Sequence, residues 1–200
     1  MNILILSRSP WDDGNSFGSS FSNIFLGMEN ISIVNIYCSH GVPNNKVVRR
    51  YFQITEKSLI KNLLSRKYPS GLEVTTPENT GLLNKNEAVV YDHARKLRLQ
   101  IYFWIRDFIW RVSRWKSGEL KAFINDFGPD IIFQPIYYSS FMNDIACFLK
   151  DYTGVPMVGY ISDDNYTLKQ FSLSPLFWID RLVKRQKVKK TVKKCKYLYV

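Results

Sequence analysis

Apolar residues in this chain fall into short runs that alternate with stretches of helical spacing, and that alternation predicts the architecture. Asn2-Ile3-Leu4-Ile5-Leu6 is a β-branched, nearly unbroken apolar run, the pattern of a strand buried on both faces. Small and polar residues follow over 7–20, and Phe21, Ile24, Phe25 and Met28 then recur at helical spacing. Residues 31–37 and 47–54 predict two further strands, with a turn-rich loop at 40–45 between them. Thr55 is placed to cap a helix that carries Leu59, Ile60, Leu63 and Leu64, and Pro69 and Gly71 end it. Residues 72–85 hold Pro77 and Gly81 without any period, which reads as a mobile surface loop.

A long helix is expected over 91–115. Ala94, Leu97, Ile101, Trp104, Ile105, Phe108, Val112 and Trp115 share one stripe, which Tyr102, Phe103, Ile109 and Trp110 widen. Arg95, Lys96, Arg98, Arg106, Arg111 and Arg114 flank it. Two readings stand: the stripe covers the sheet as a core helix, or it lies in a membrane interface with aromatics at headgroup level and arginines on lipid phosphates. Ser117 then caps a short helix over 119–127 that Gly128 and Pro129 terminate. A strand at 130–135, a helix at 141–152 stopped by Gly154, a strand at 155–161, a Pro-capped helix at 175–194 and a strand from 197 complete the series. Strands alternating with helices predict an α/β fold: a Rossmann-like, doubly wound parallel sheet with helices on both faces and right-handed crossovers. The 200 residues suit one domain, and the clipped final strand makes the chain read as a piece whose next domain is missing.

Composition narrows the setting. Hydrophobic residues at 46% and aromatics at 15% describe a globular chain, not a disordered one. No apolar run reaches the roughly 18 residues of a membrane span and no signal peptide opens the chain, so a cytosolic protein is expected. Cys38, Cys147 and Cys195 are odd in number and far apart, which predicts reduced thiols and argues against a disulfide frame or a zinc site. The net charge of +11 favours an anionic partner: nucleic acid, an anionic membrane or a phosphorylated substrate. Every charged residue in 181–196 is a cation, either a solvated helix face or an anion-binding one.

The first loop carries candidate chemistry. Strand, small-residue loop and helix in succession leave free amides at the helix start, which favour an anion there. Gly14, Asn15, Ser16 and Gly18 are the candidate substrate-binding residues. Their spacing matches neither the dinucleotide nor the P-loop pattern, and glycines that simply make the turn remain the alternative.

The order of elements resembles the N-terminal, acceptor-side half of a GT-B glycosyltransferase of the retaining, family 4-like kind. The resemblance runs through Asn2-Ile3-Leu4-Ile5-Leu6, the Gly14 to Gly18 loop, Phe127-Gly128-Pro129-Asp130-Ile131-Ile132 and Thr153-Gly154-Val155-Pro156-Met157-Val158. It implies a two-domain enzyme for cell-surface polysaccharide or lipid-linked glycan synthesis. This half would receive the sugar or lipid-linked acceptor and the absent half would hold most of the nucleotide-sugar, with no metal or other cofactor and with this piece inactive alone. Where many relatives carry a His, this chain has Asp163 and Asp164, which would accept hydrogen bonds from sugar hydroxyls and assist deprotonation, or else form a turn and helix cap. An enzyme extending a lipid-linked acceptor must meet the inner membrane face. Trp104, Trp110 and Trp115 with Arg106, Arg111 and Arg114 are the expected membrane contact, peripheral on an anionic surface. The alternative is a non-enzymatic basic module that binds nucleic acid or another polyanion through residues 181–196, although no nucleic-acid fold signature is present.

Overall fold

The computed structural model describes residues 1–14, 16–45, 47–74, 100–162, 164, 166–169 and 172–199. Seven strands form one sheet: β1 (Asn2–Ser7), β2 (Ser32–Tyr37), β3 (Val48–Ile54), β4 (Gly71–Val74), β5 (Ile131–Pro135), β6 (Met157–Tyr160) and β7 (Tyr197–Tyr199). Their order is β4-β3-β2-β1-β5-β6-β7, and every neighbouring pair is parallel except β3 with β4. Six helices join them among the described residues: α1 (Ser16–Phe25), α2 (Glu56–Leu64), α3 (Gln100–Val112), α4 (Gly118–Phe127), α5 (Ser140–Thr153) and α6 (Pro175–Lys194). The result is the expected doubly wound, Rossmann-like α/β arrangement.

Alternation along the buried strands divides the core in two. Leu4, Leu6, Val34, Ile36, Ile132 and Met157 meet Leu59, Trp110, Leu120, Phe123, Ile145 and Leu149 from the helices on one face. Ile3, Ile5, Ile33 and Phe133 face the other side, where α1 contributes Phe21 and Phe25 beside Trp11. Asn35 is the polar exception in the middle of β2: fully buried, it donates from its amide to the Ile5 carbonyl at 3.1 Å and to Ser7 Oγ at 2.9 Å.

Local chemistry explains the helix ends. Thr55 and Ser58 bond reciprocally at 3.1 Å, a capping box that starts α2. Ser117 Oγ accepts from the Leu120 amide, and Gly128 ends α4 at φ 58°, a left-handed conformation that favours glycine.

Two expectations change. Residues 71–74 form β4 instead of opening a loop, running antiparallel at the sheet edge. A Cβ on Gly71 would lie 2.8 Å from the Gln53 carbonyl oxygen, so the glycine read as a helix terminator instead lets β4 reach β3. Arg50 pairs with Glu73 at 2.6 Å across these strands. The remainder of that expected loop, 75–85, lies outside the described residues. The long helix is described over Gln100–Val112 and ends there, short of the expected Trp115, while residues 91–99 of the expected span lie outside the described residues.

Candidate functional site

Strands β1 and β5 are neighbours, but their connections leave in opposite directions, through α1 to β2 and through α5 to β6. The two loops therefore diverge at the carboxyl ends of the strands, the place where ligands enter open α/β sheets. The Arg8 amide donates to the Tyr137 hydroxyl at 3.1 Å across this crevice. Burial pushes the Tyr137 phenol up, while Arg8 opposes that shift. Cys38 nearby is likewise pushed well above the ordinary thiol value by burial, then by Glu56.

The first loop is filled by its own residues. Trp11 is buried, its indole nitrogen donating to Ser22 Oγ at 3.0 Å and Asp13 Oδ1 at 3.2 Å. Gly18 sits inside the first turns of α1 instead of in a loop, and a Cβ there would stand 2.0 Å from the Asp12 carbonyl oxygen. Its missing side chain admits the protein's own backbone. The Gly14 amide donates to Asp12 Oδ1 at 2.9 Å, and Asn45 donates to Asp13 at 2.7 Å. Two carboxylates thus stand in the loop that leads into α1, engaged by its own donors, a sign unfavourable to phosphate there. Ser16 is the first residue of α1, and Asn15 lies outside the described residues.

Asp163 lies outside the described residues. Asp164 accepts from the amides of Tyr166 at 3.2 Å and Thr167 at 2.9 Å and from the Thr167 hydroxyl. The Thr167 hydroxyl, then its amide, hold this carboxyl below the usual range. A carboxylate so engaged is a weaker base, and its bonds are those of a turn cap. It borders a pocket of about 330 Å³ walled by Ile136, Ile161, Tyr166 and Val188 with Lys189 and Lys193 at the edge.

The aromatic helix is turned in an unexpected sense. Trp110 is 1% exposed, stacks on Phe141 with ring centres 4.4 Å apart and donates to Glu56 Oε1 at 3.1 Å. Trp115 is buried edge-on to Phe148, and Arg106 is 5% exposed. These three members of the expected membrane contact cannot touch a lipid surface, because the fold has placed them against other helices. Ile105, Phe108 and Val112 instead point outward, with Trp104 partly exposed and Arg111 and Arg114 exposed. On α6, Leu176, Ile179, Leu182 and Val183 are also exposed. Trp104 and Phe108 of α3 and Ile179 and Val183 of α6 line a groove of about 1210 Å³, with Arg111, Arg114, Lys187 and Lys190 also on its walls.

The cationic run on α6 divides by environment. Arg181 and Lys184 are buried, not solvated; Lys184 bonds Asp180 at 2.8 Å, and both cations lie over the Tyr138 ring at 4.8 and 4.7 Å. Trp104 and Tyr138 also donate to Asp180, at 3.0 and 3.3 Å. Lys187 pairs with Asp144 at 2.6 Å and Lys194 with Asp151, whereas Lys189, Lys190 and Lys193 are exposed. The sequence reading missed the Asp180 cluster and the apolar half of α6. The spacing of Leu176, Ile179 and Val183 was the available signal, overshadowed by the lysines that follow.

Among the described residues, no group of His, Cys, Asp or Glu has the arrangement of a metal site, and no helix is long and apolar enough to cross a membrane. The fold and crevice define a doubly wound α/β domain of the Rossmann-like class. No family model matches the chain, and no curated protein matches it.

Proposed function

We propose that this chain is the acceptor-side domain of a nucleotide-sugar-dependent glycosyltransferase that works peripherally on an anionic membrane face. The observation that carries the reading is the outward stripe of α3. Phe108 at 63% and Ile105 at 54% exposure stand beside Ile179 at 54% and Val183 at 53% on α6. Apolar area of this kind with cations alongside has the makings of an interfacial surface: side chains enter the headgroup boundary and each nearby cation adds about 1 kcal/mol on anionic lipid. Doubly wound folds host many activities, so the transferase assignment rests on the resemblance of the element order, supported by the crevice at Arg8 and Tyr137. In this reading the crevice receives a lipid-linked acceptor and a second domain holds the donor.

Co-sedimentation with phosphatidylcholine vesicles, with and without phosphatidylserine, tests the membrane arm. Recovery is expected to rise with phosphatidylserine and to fall for Phe108→Ser combined with Arg111→Gln. Equal recovery on both vesicles, unchanged by those substitutions, refutes it. Sugar transfer from UDP- or GDP-sugars by the chain alone would refute the division of labour between domains. Salt-dependent binding to random DNA without vesicle binding would favour a polyanion-binding module.

A further inference from the structure

The lysines of α6 are unequally matched. Lys184 bonds Asp180, Lys187 pairs with Asp144 and Lys194 with Asp151, whereas Lys189 and Lys193 are exposed and, among the described residues, form no ion pair. One helical turn separates these two, so they stand on the same side of α6. Val188 and Val192 repeat that spacing one position earlier, and they wall the pocket of about 330 Å³ whose edge the two lysines form.

The pocket is made of parts that are already held in place. Ile136 and Ile161, on its other side, are the first residues past β5 and β6, at the carboxyl ends of the strands. The Ile136 amide donates to the Tyr160 carbonyl and the Ile161 amide to the Tyr199 carbonyl, each at 2.8 Å, so the pairing of the sheet continues beside the pocket. Tyr166 is fixed from two directions: Arg185 lies over its ring at 4.4 Å, and the buried Arg181 donates to the neighbouring Thr167 carbonyl at 2.6 Å. Asp164, the one carboxylate of the lining, accepts from the amides of Tyr166 and Thr167 and from the Thr167 hydroxyl, which leaves two cations in excess of it at the opening.

Apart from Tyr166, the apolar walls are isoleucine and valine, and an apolar pocket of this size with a few charges at its mouth is the usual form of a small-molecule site. A cavity of about 150 Å³ accepts benzene, so this one has room for roughly eight to ten carbon atoms. Lysine offers a point charge and no planar fork, so a carboxylate and a phosphate suit the edge alike. We propose that this pocket binds a single-chain anionic amphiphile, its aliphatic chain among Ile136, Ile161, Val188 and Val192 and its carboxylate or phosphate head on Lys189 and Lys193. The site goes beyond membrane docking and stands without it, because it uses the second half of α6, whereas the outward surface uses α3 and the first half.

Carbon-13 methyl NMR of the full chain tests the site, with titrations of octanoate, octyl phosphate and uncharged octanol, all kept monomeric. The methyls of Ile136, Ile161, Val188 and Val192 are expected to shift saturably with octanoate, octyl phosphate or both, and a response to one alone identifies the head group. Octanol should bind at least fivefold more weakly than the responding anion, and Lys189→Gln combined with Lys193→Gln, both at exposed positions, should remove that difference. Val192→Phe, which fills the space, should weaken the anion at least tenfold. Pocket methyls unmoved by both anions in the parent chain overturn the proposal without any variant. So does octanol binding as tightly as the anions, or undiminished anion binding in the doubly substituted chain. Phe108→Ser, on the outward stripe, should lower vesicle recovery and leave the methyl shifts intact, so the two proposals fail separately; loss of the shifts in that variant places the amphiphile on the stripe and refutes the pocket.

Discussion

Trp110→Ala separates the two roles once open to the aromatic helix. The indole is 1% exposed, stacked 4.4 Å from Phe141 and bonded to Glu56 at 3.1 Å. Truncation removes a large buried ring from a close-packed core, which costs about 3–5 kcal/mol. It also strips Glu56 of a donor, a further loss of about 1 kcal/mol. Against a total stability of about 5–15 kcal/mol, this is a large fraction. For a domain of this size each kcal/mol shifts the melting temperature by roughly 2–4 °C, so the midpoint should fall by roughly 10 °C or more. Phe108→Ser, two residues earlier but 63% exposed, should alter stability by no more than about 0.5 kcal/mol. Urea unfolding followed by far-ultraviolet circular dichroism measures both. A Trp110→Ala variant within 1 kcal/mol of the parent, or a Phe108→Ser variant as damaged as Trp110→Ala, would refute the orientation of α3.

Two further outcomes are expected. Gly18→Ala should be less stable than Gly14→Ala by about 1–2 kcal/mol in urea unfolding: its Cβ meets the Asp12 backbone oxygen at 2.0 Å, an overlap that outweighs the roughly 1 kcal/mol gained in helix propensity. The methyl at position 14 approaches only the Asp12 side chain, at 3.1 Å, and equal stabilities would contradict this packing. Stability should also fall in alkali, because burial raises Cys38 above the ordinary 9.0 and Tyr37 above 10.0, and Cys195 is pushed up to about 11. The folded state holds these protons more tightly than the unfolded chain, so the stabilisation is complete below about pH 9. It is lost as pH rises, by about 1.4 kcal/mol per pH unit for each titrating group. A melting temperature that stays flat from pH 8 to 11 would contradict the burial of these groups.

Periodicity and capping made most of the fold legible. The apolar run at Ile3–Leu6, Thr55 and Ser117 as caps, Gly128 and Gly154 as stops, and Pro175 opening α6 are local signals, and each element formed where its signal stood. Strand β4 was hidden because its pairing depends on a close approach by Gly71 to residues in β3, a tertiary cause that no window of sequence contains. The rotation of α3 was hidden for a related reason. Its apolar residues form a pronounced stripe through Ile105, Phe108 and Val112, yet that stripe faces outward, and the buried side proved to be that of Arg106 and Trp110. At the candidate site, Gly18 was found correctly but its neighbour was not: the space it leaves belongs to Asp12. Arg106 was identified as a flank of the stripe, and only the packing of α3 against α5 buries it over the Phe141 ring.

The Asn35 amide has a consequence for how the sheet assembles. The aliphatic side chains around it tolerate sliding, since isoleucine opposite valine is much like isoleucine opposite isoleucine. Moving β2 by two positions would carry Asn35 away from the Ile5 carbonyl and Ser7 hydroxyl and strand its amide in hydrocarbon. One polar group therefore makes wrong alignments of the two central strands unprofitable, so that β1 and β2, joined through α1, close in a single way.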